Sequence, residues 1–134
     1  MIGLLIVSHS EDAARGITQV AAAMAGEGCV EIIGVGGNDA GGLGVSVTKV
    51  YDALEHLLLK TDGVLIIPDL GSSVLSSRSA IELLPPDDGA KVVIVDAPVL
   101  EGAMLAAVEA SCGAPMQQVI EAAREARNLE KTNH

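Results

Sequence analysis

Short apolar runs alternate with helical patterns along most of this chain. Residues 1–7 are apolar without polar alternation, which is typical of a strand covered by helices on both faces. Similar runs at 30–35, 64–67 and 91–95 predict three further strands. Apolar residues recur at helical spacing between and after these runs. They predict helices that cover about 13–24, 45–59, 72–84, 98–110 and 115–129. Ser72 or Ser73 is the predicted cap of the third helix, and residues 85–89 are predicted to break it.

The order of these elements predicts an α/β fold: an open, mostly parallel sheet of four or five strands with helices on both faces. A chain of 134 residues is long enough for one domain with a real core, and we see no linker or internal repeat in it. We therefore expect a single domain over 1–134, with a frayed tail after about residue 128. Tyr51 is the sole aromatic residue, so the predicted core is aliphatic.

The first apolar run ends in Ser8, His9 and Ser10, just before an acidic stretch that opens a helix. Ser8 and Glu11 have the spacing of a capping box, whereas Ser10 is an alternative N-cap. Either arrangement places His9 at the positive end of a helix, where unpaired N–H groups favour an anion such as a phosphoryl group. A histidine that merely fills space in a capping loop is the alternative that these residues alone leave open.

Composition excludes several functions. A net charge of -10 and the absence of Phe and Trp argue against nucleic acid, which requires basic and stacking groups. No apolar run approaches the ~20 residues of a membrane-spanning helix. Two cysteines far apart in sequence, Cys29 and Cys112, predict reduced thiols in a cytoplasmic protein, each buried as a small hydrophobic residue. We expect the methionines, including Met24 and Met104, to fill the core.

Asp69 follows the third predicted strand as His9 follows the first. Because the carboxyl ends of parallel strands share one edge of a sheet, we expect the two side chains to meet. A carboxylate that accepts a hydrogen bond from Nδ1 of His9 would leave Nε2 as an unprotonated nucleophile. The alternative is that Asp69 is only a turn residue beside Pro68 and Gly71.

Three segments together resemble a known family: residues 6–10, residues 68–73 and residues 96–102. They are similar to the phosphocarrier subunit of phosphoenolpyruvate-dependent dihydroxyacetone kinases, which has the mannose-type EIIA fold of the sugar phosphotransferase system. The resemblance implies a phosphotransferase subunit that works through a phosphohistidine. His9 would accept a phosphoryl group from HPr, at Nε2, and pass it to ADP held in the nucleotide-binding subunit of the kinase.

The resemblance also implies a homodimer and a separate HPr, because the chain carries no fused HPr-like extension. We expect His9 and Asp69 to be the catalytic residues, without a metal or cofactor. The candidate phosphoryl-binding residues are Ser8, Ser10, Gly71 and Ser72. One departure concerns Gly44-Val45-Ser46, where family members usually carry Gly-Thr, so that a hydroxyl near the site is lost or displaced.

The glycine-rich segment 36–44 lacks the Gly-Lys-Ser/Thr ending of a phosphate-binding P-loop, and we interpret it as a mobile loop that faces a partner. His56 lies on the polar side of its predicted helix, and His134 is terminal; we assign neither a role. Three other functions remain as alternatives: a mannose-type sugar-transport EIIA domain, a non-catalytic regulatory domain, and a receiver domain with Asp69 as phosphoacceptor. The receiver is disfavoured because the first strand lacks an acidic pair for magnesium.

Overall fold

The computed structural model describes residues 1–132, and His134 lies outside the described residues. Four parallel strands form one sheet in the order β2-β1-β3-β4. The strands are β1 (Ile2–Ser8), β2 (Ile32–Gly36), β3 (Gly63–Pro68) and β4 (Val92–Ile94). The helices are α1 (Glu11–Ala25), α2 (Val47–Leu58), α3 (Gly71–Leu83), α4 (Pro86–Gly89), α5 (Val99–Ser111) and α6 (Met116–Glu125), followed by a 3₁₀ turn (Ala126–Asn128). The predicted α/β fold with a parallel sheet is confirmed.

Helices cover both faces of the sheet, and this explains the uninterrupted apolar runs. All seven residues of β1 are buried, because alternate side chains enter two different cores. Leu4 and Ile6 pack in one core with α1, α5 and α6, whereas Leu5 and Val7 pack in the other with α2 and α3. Each core is therefore aliphatic, as the composition predicts.

The chain order of the sheet creates a crevice between the ends of β1 and β3. From β1 the chain crosses to β2 on one side, and it later returns to β3 on the other side. The two central strands thus end side by side while their following helices, α1 and α3, cover opposite faces. Such a switch point is where open α/β sheets place their ligands.

Several predicted boundaries were wrong, and one of them affects the site. We expected Ser72 or Ser73 to cap α3, but Leu70 occupies the N-cap position and both serines lie in the first helical turn. The predicted break at 85–89 contains the short helix α4, which begins with Pro86 as proline at a first helical position allows. The last helix ends at Glu125 instead of about 129, and only the 3₁₀ turn continues it.

Two predictions of burial were also wrong. Cys29 and Cys112 are both exposed, because each lies in the connection that follows a helix instead of in the core. Met24 is 57% exposed, since α1 packs on the sheet through the small side chains of Ala14 and Ala21 and turns Met24 outward. His56 is exposed on α2, as predicted. No helix within residues 1–132 is long and apolar enough to cross a membrane.

Candidate functional site

His9 and Asp69 lie at the crevice between β1 and β3. Each is the first residue after its strand, and the Asp69 N–H donates a 3.0 Å hydrogen bond to the carbonyl of Val7, which extends the pairing of the two strands. The side chain of His9 is 25% exposed and that of Asp69 is 18% exposed. The imidazole is thus held by the protein on one side and accessible on the other.

Asp69 binds His9 through both of its carboxylate oxygens. Oδ1 lies 3.1 Å from Nδ1 of the imidazole, and Oδ2 accepts the His9 backbone N–H at 3.1 Å. Oδ2 also accepts the hydroxyl of Ser8 at 2.9 Å. The structure therefore brings together the two strand-end side chains as the parallel topology predicts.

The structure adds Ser73, whose contact with these two residues the sequence analysis missed. Its side chain is fully buried in the first turn of α3. The hydroxyl donates to Oδ1 of Asp69 at 2.6 Å, and the same oxygen lies 3.2 Å from Nδ1 of His9. The available signal was the place of Ser73 in the segment 68–73, next to Ser72 and four residues after Asp69.

Asp69 is ionised at neutral pH. Partial burial by itself would raise the pKa of its carboxyl group, but hydrogen bonds from the Ser73 hydroxyl, the His9 N–H and the Ser8 hydroxyl outweigh burial and lower the pKa to about 2. An ionised carboxylate only accepts hydrogen bonds, so in neutral imidazole the proton is on Nδ1 of His9. Nε2 therefore carries the lone pair, and it contacts the hydroxyl of Ser72 at the start of α3.

Ser10 has the N-cap role that the sequence offered as an alternative, whereas Ser8 has a role that the sequence did not suggest. Ser10 is the N-cap of α1 and accepts the N–H of Ala13 at 3.1 Å, so the capping box between Ser8 and Glu11 was wrong. Ser8 is 2% exposed; its hydroxyl donates to Asp69 and accepts the N–H of Ser10 at 3.2 Å. The single proton of Ser8 is thus committed to Asp69, and our prediction that this hydroxyl binds the phosphoryl group directly is not supported.

The unusual Gly44-Val45-Ser46 segment contacts the site through its backbone. The N–H of Gly44 donates to the carbonyl of His9 at 2.9 Å. The hydroxyl of Ser46 instead caps α2 by accepting the N–H of Lys49 at 3.2 Å, and it donates to Asp39. The Ser46 hydroxyl therefore holds the glycine-rich loop against α2, and its hydrogen bonds go to Asp39 and Lys49 instead of His9.

The exposed side of His9 faces the start of α3. Gly71 and Ser72 are exposed there, and within residues 1–132 no side chain caps this helix end. Uncapped N–H groups together with the helix dipole favour a bound anion. Asp96, from the third motif, has a fully exposed side chain and lines a cleft of about 400 Å³ beside Asp69 and Leu70. The described residues contain no group of three His, Cys, Asp or Glu side chains that could hold a metal ion.

The chain has counterparts among known proteins. A family model described as "PTS system fructose IIA component", EIIA-man, matches residues 3–120. The chain therefore belongs to the EIIA-man family of phosphotransferase system components.

Within this family the chain is similar to subunits called DhaM. The phosphoryl donor subunit DhaM of the PEP-dependent dihydroxyacetone kinase of Providencia stuartii is 38% identical over 128 residues, which are 94% of this chain but 27% of that protein. The phosphoryl donor subunit DhaM of PEP-dependent dihydroxyacetone kinase 2 from Listeria innocua is 36% identical over 109 residues, 81% of this chain and 86% of that protein. A crystal structure of a protein of unknown function superposes with a TM-score of 0.79, at 33% identity and with 92% of both chains covered.

Proposed function

We propose that this chain is a phosphohistidine carrier, the phosphoryl donor subunit of a PEP-dependent dihydroxyacetone kinase. The observation that carries the proposal is the pairing of Nδ1 of His9 with Asp69, which leaves Nε2 unprotonated beside the uncapped start of α3. The names of the relatives from Providencia stuartii and Listeria innocua support the choice of kinase.

In the first step, the lone pair of Nε2 attacks the phosphorus of a phosphohistidine on the donor protein HPr. The new Nε2–P bond forms as the N–P bond of the donor breaks, and the electron pair of that bond returns to the donor nitrogen. Nδ1 of His9 keeps its proton throughout, so the imidazole acquires positive charge. The carboxylate of Asp69, 3.1 Å from Nδ1, offsets that charge.

The phosphoryl oxygens carry negative charge, and the start of α3 supplies donors for them. We assign this role to the backbone N–H groups of Gly71 and Ser72 and to the hydroxyl of Ser72. In the unphosphorylated protein the Ser72 hydroxyl contacts Nε2, so it must turn toward the phosphoryl group when the bond forms. Ser10 accepts the N–H of Ala13 and keeps its own proton for donation to a phosphoryl oxygen.

In the second step, a terminal oxygen of ADP bound in the nucleotide-binding subunit attacks the phosphorus. The Nε2–P bond breaks, its electron pair returns to Nε2, and ATP forms on the partner. Both the donor and the acceptor are proteins, which agrees with a site that lies at the surface. We further propose that the carrier works in the cytoplasm and as a homodimer.

A sugar-transport EIIA domain is the second candidate, because the matching family model describes a fructose IIA component. Reconstitution separates the two candidates. The chain is first phosphorylated with phosphoenolpyruvate, enzyme I and HPr, and it is then mixed with the ADP-loaded subunit of dihydroxyacetone kinase or with a mannose-type EIIB domain. We expect ATP to form with the kinase subunit. Transfer to EIIB alone would favour the sugar-transport function.

A further inference from the structure

Ser73 occupies a position from which it can control the imidazole without touching a phosphoryl group. Its side chain is fully buried, and its hydroxyl oxygen lies 2.6 Å from Oδ1 of Asp69 and 3.2 Å from Nδ1 of His9. Nε2, the nitrogen that we propose to react, is on the opposite side of the ring and contacts Ser72. Any effect of Ser73 on the reaction must therefore pass through Nδ1 or Asp69.

The hydrogen-bond donors and acceptors around Nδ1 determine the tautomer of His9. A serine hydroxyl has one proton, and the Ser73 hydroxyl donates it in a short hydrogen bond to the charged Oδ1 of Asp69. The oxygen of Ser73 then presents a lone pair to Nδ1, as Oδ1 of Asp69 does. Two acceptors that face one ring nitrogen are satisfied only when this nitrogen carries the proton.

The backbone fixes Ser73 in this position. Ser73 lies in the first turn of α3, and its N–H donates to the carbonyl of Leu70 at 3.0 Å. The next N–H along the helix, that of Val74, donates to the same carbonyl at 3.3 Å. The side chain of Ser73 therefore extends from a rigid helical turn and not from a flexible loop.

We infer that Ser73 is a positioning residue that, with Asp69, holds His9 in the tautomer with the proton on Nδ1 and keeps Nε2 ready to accept a phosphoryl group. Its effect on rate rests on the proposed phosphocarrier function, whereas its effect on the tautomer does not. Without the hydroxyl, Asp69 loses a charge-assisted donor, and Nδ1 loses one of its two acceptors.

The test compares Ser73→Ala, Ser73→Thr and Ser77→Ala. The Ser77 variant is the matched control, because it removes a buried hydroxyl from the same helix whose hydrogen bond, at 2.7 Å, goes to the backbone carbonyl of Ser73 and not to Asp69 or His9. Nitrogen-15 NMR of unphosphorylated protein reports the tautomer of His9 and its titration, and phosphorylation by limiting HPr reports the rate. For Ser73→Ala we expect an increased fraction of the other tautomer and a phosphorylation rate about 10-fold lower, the usual effect of one lost hydrogen bond to a charged group.

Ser73→Thr retains the hydroxyl and is expected to restore both readouts, whereas Ser77→Ala should leave the tautomer unchanged. An unchanged tautomer in correctly folded Ser73→Ala would overturn the inference, and so would an identical tautomer shift in the Ser77 control. If His9 of the unmodified protein accepts no phosphoryl group at all, the phosphocarrier function fails, while the NMR comparison still decides the role of Ser73.

Discussion

The carboxylate of Asp69 contacts both the backbone and the ring of His9. Oδ2 accepts the His9 N–H and Oδ1 lies beside Nδ1, each at 3.1 Å. One side chain thereby fixes where the residue sits and how its imidazole is turned. The lone pair of a nucleophile must point at the incoming phosphorus atom, so its reaction depends on both the position of the residue and the orientation of its ring.

Replacement of Asp69 tests this dual role. In Asp69→Ala the imidazole loses its orienting partner and the charge that offsets the developing imidazolium, and we expect phosphorylation of His9 to slow by about 100-fold or more. Asp96→Asn is the matched control, since its carboxylate is fully exposed at the neighbouring strand end. Initial rates with phosphorylated HPr measure both variants, and a rate in Asp69→Ala within a few-fold of the control would contradict the assignment.

The ionised state of Asp69 also predicts how stability depends on pH. Its folded pKa, about 2, lies below the value of 3.8 for an ordinary aspartate, and this difference corresponds to about 2 kcal/mol of folding free energy. The contribution is complete above about pH 4 and is lost as the pH falls to about 2. At neutral pH we expect Asp69→Asn to have a lower free energy of unfolding than the unmodified protein. Because the unmodified protein loses the contribution of the Asp69 charge as the pH falls from about 4 to about 2, this difference should become smaller across that interval, as measured by urea unfolding. A deficit independent of pH would show that the charge of Asp69 contributes nothing.

Replacement of Ser72 tests its role in binding the phosphoryl group with little expected effect on the stability of the fold. Its side chain is exposed and contacts Nε2, so Ser72→Ala should leave the free energy of unfolding within about 0.5 kcal/mol of the unmodified protein. We expect it to shorten the lifetime of the phosphorylated form by weakening the contacts of the phosphoryl group. Ser10→Ala should shorten this lifetime as well and should also lower the free energy of unfolding by about 1 kcal/mol, because Ser10 is the N-cap of α1. Decay of the labelled protein and thermal unfolding distinguish the two effects.

Gly36 controls how closely β2 approaches the start of α1. A Cβ atom at this position would lie 2.6 Å from the carbonyl carbon of Ser10 and 2.9 Å from the nitrogen of Glu11. Gly36→Ala must therefore displace the turn that follows His9, and we expect it to destabilise the fold by about 1–3 kcal/mol and to slow phosphorylation. Gly16→Ala is the control within α1, where an added Cβ would meet no described atom within 4 Å beyond its chain neighbours and the adjacent backbone of its own helix. It should stabilise the protein by about 0.5–1 kcal/mol without affecting the rate.

The contrast between the predicted and observed sites has a physical origin. The contact of His9 with Asp69 was predictable, because it depends only on two apolar strands that end at the same edge of a parallel sheet. Ser73 was not identified as part of the site, because capping preferences favour a serine before the helix, whereas the observed N-cap is Leu70. The exposure of Met24 was missed for a related reason. In an alanine-rich helix, small residues can form the packed face and leave a larger one outside.

The central claim is that His9 carries the phosphoryl group on Nε2. The most direct measurement is phosphorus-31 and nitrogen-15 NMR of labelled protein after incubation with phosphoenolpyruvate, enzyme I and HPr, at alkaline pH to preserve the acid-labile bond. The account predicts one phosphoryl group per chain, coupled to Nε2 of His9, and no label in His9→Ala. A phosphoryl group that persists in His9→Ala, or that is bonded to another residue or to Nδ1, would contradict it.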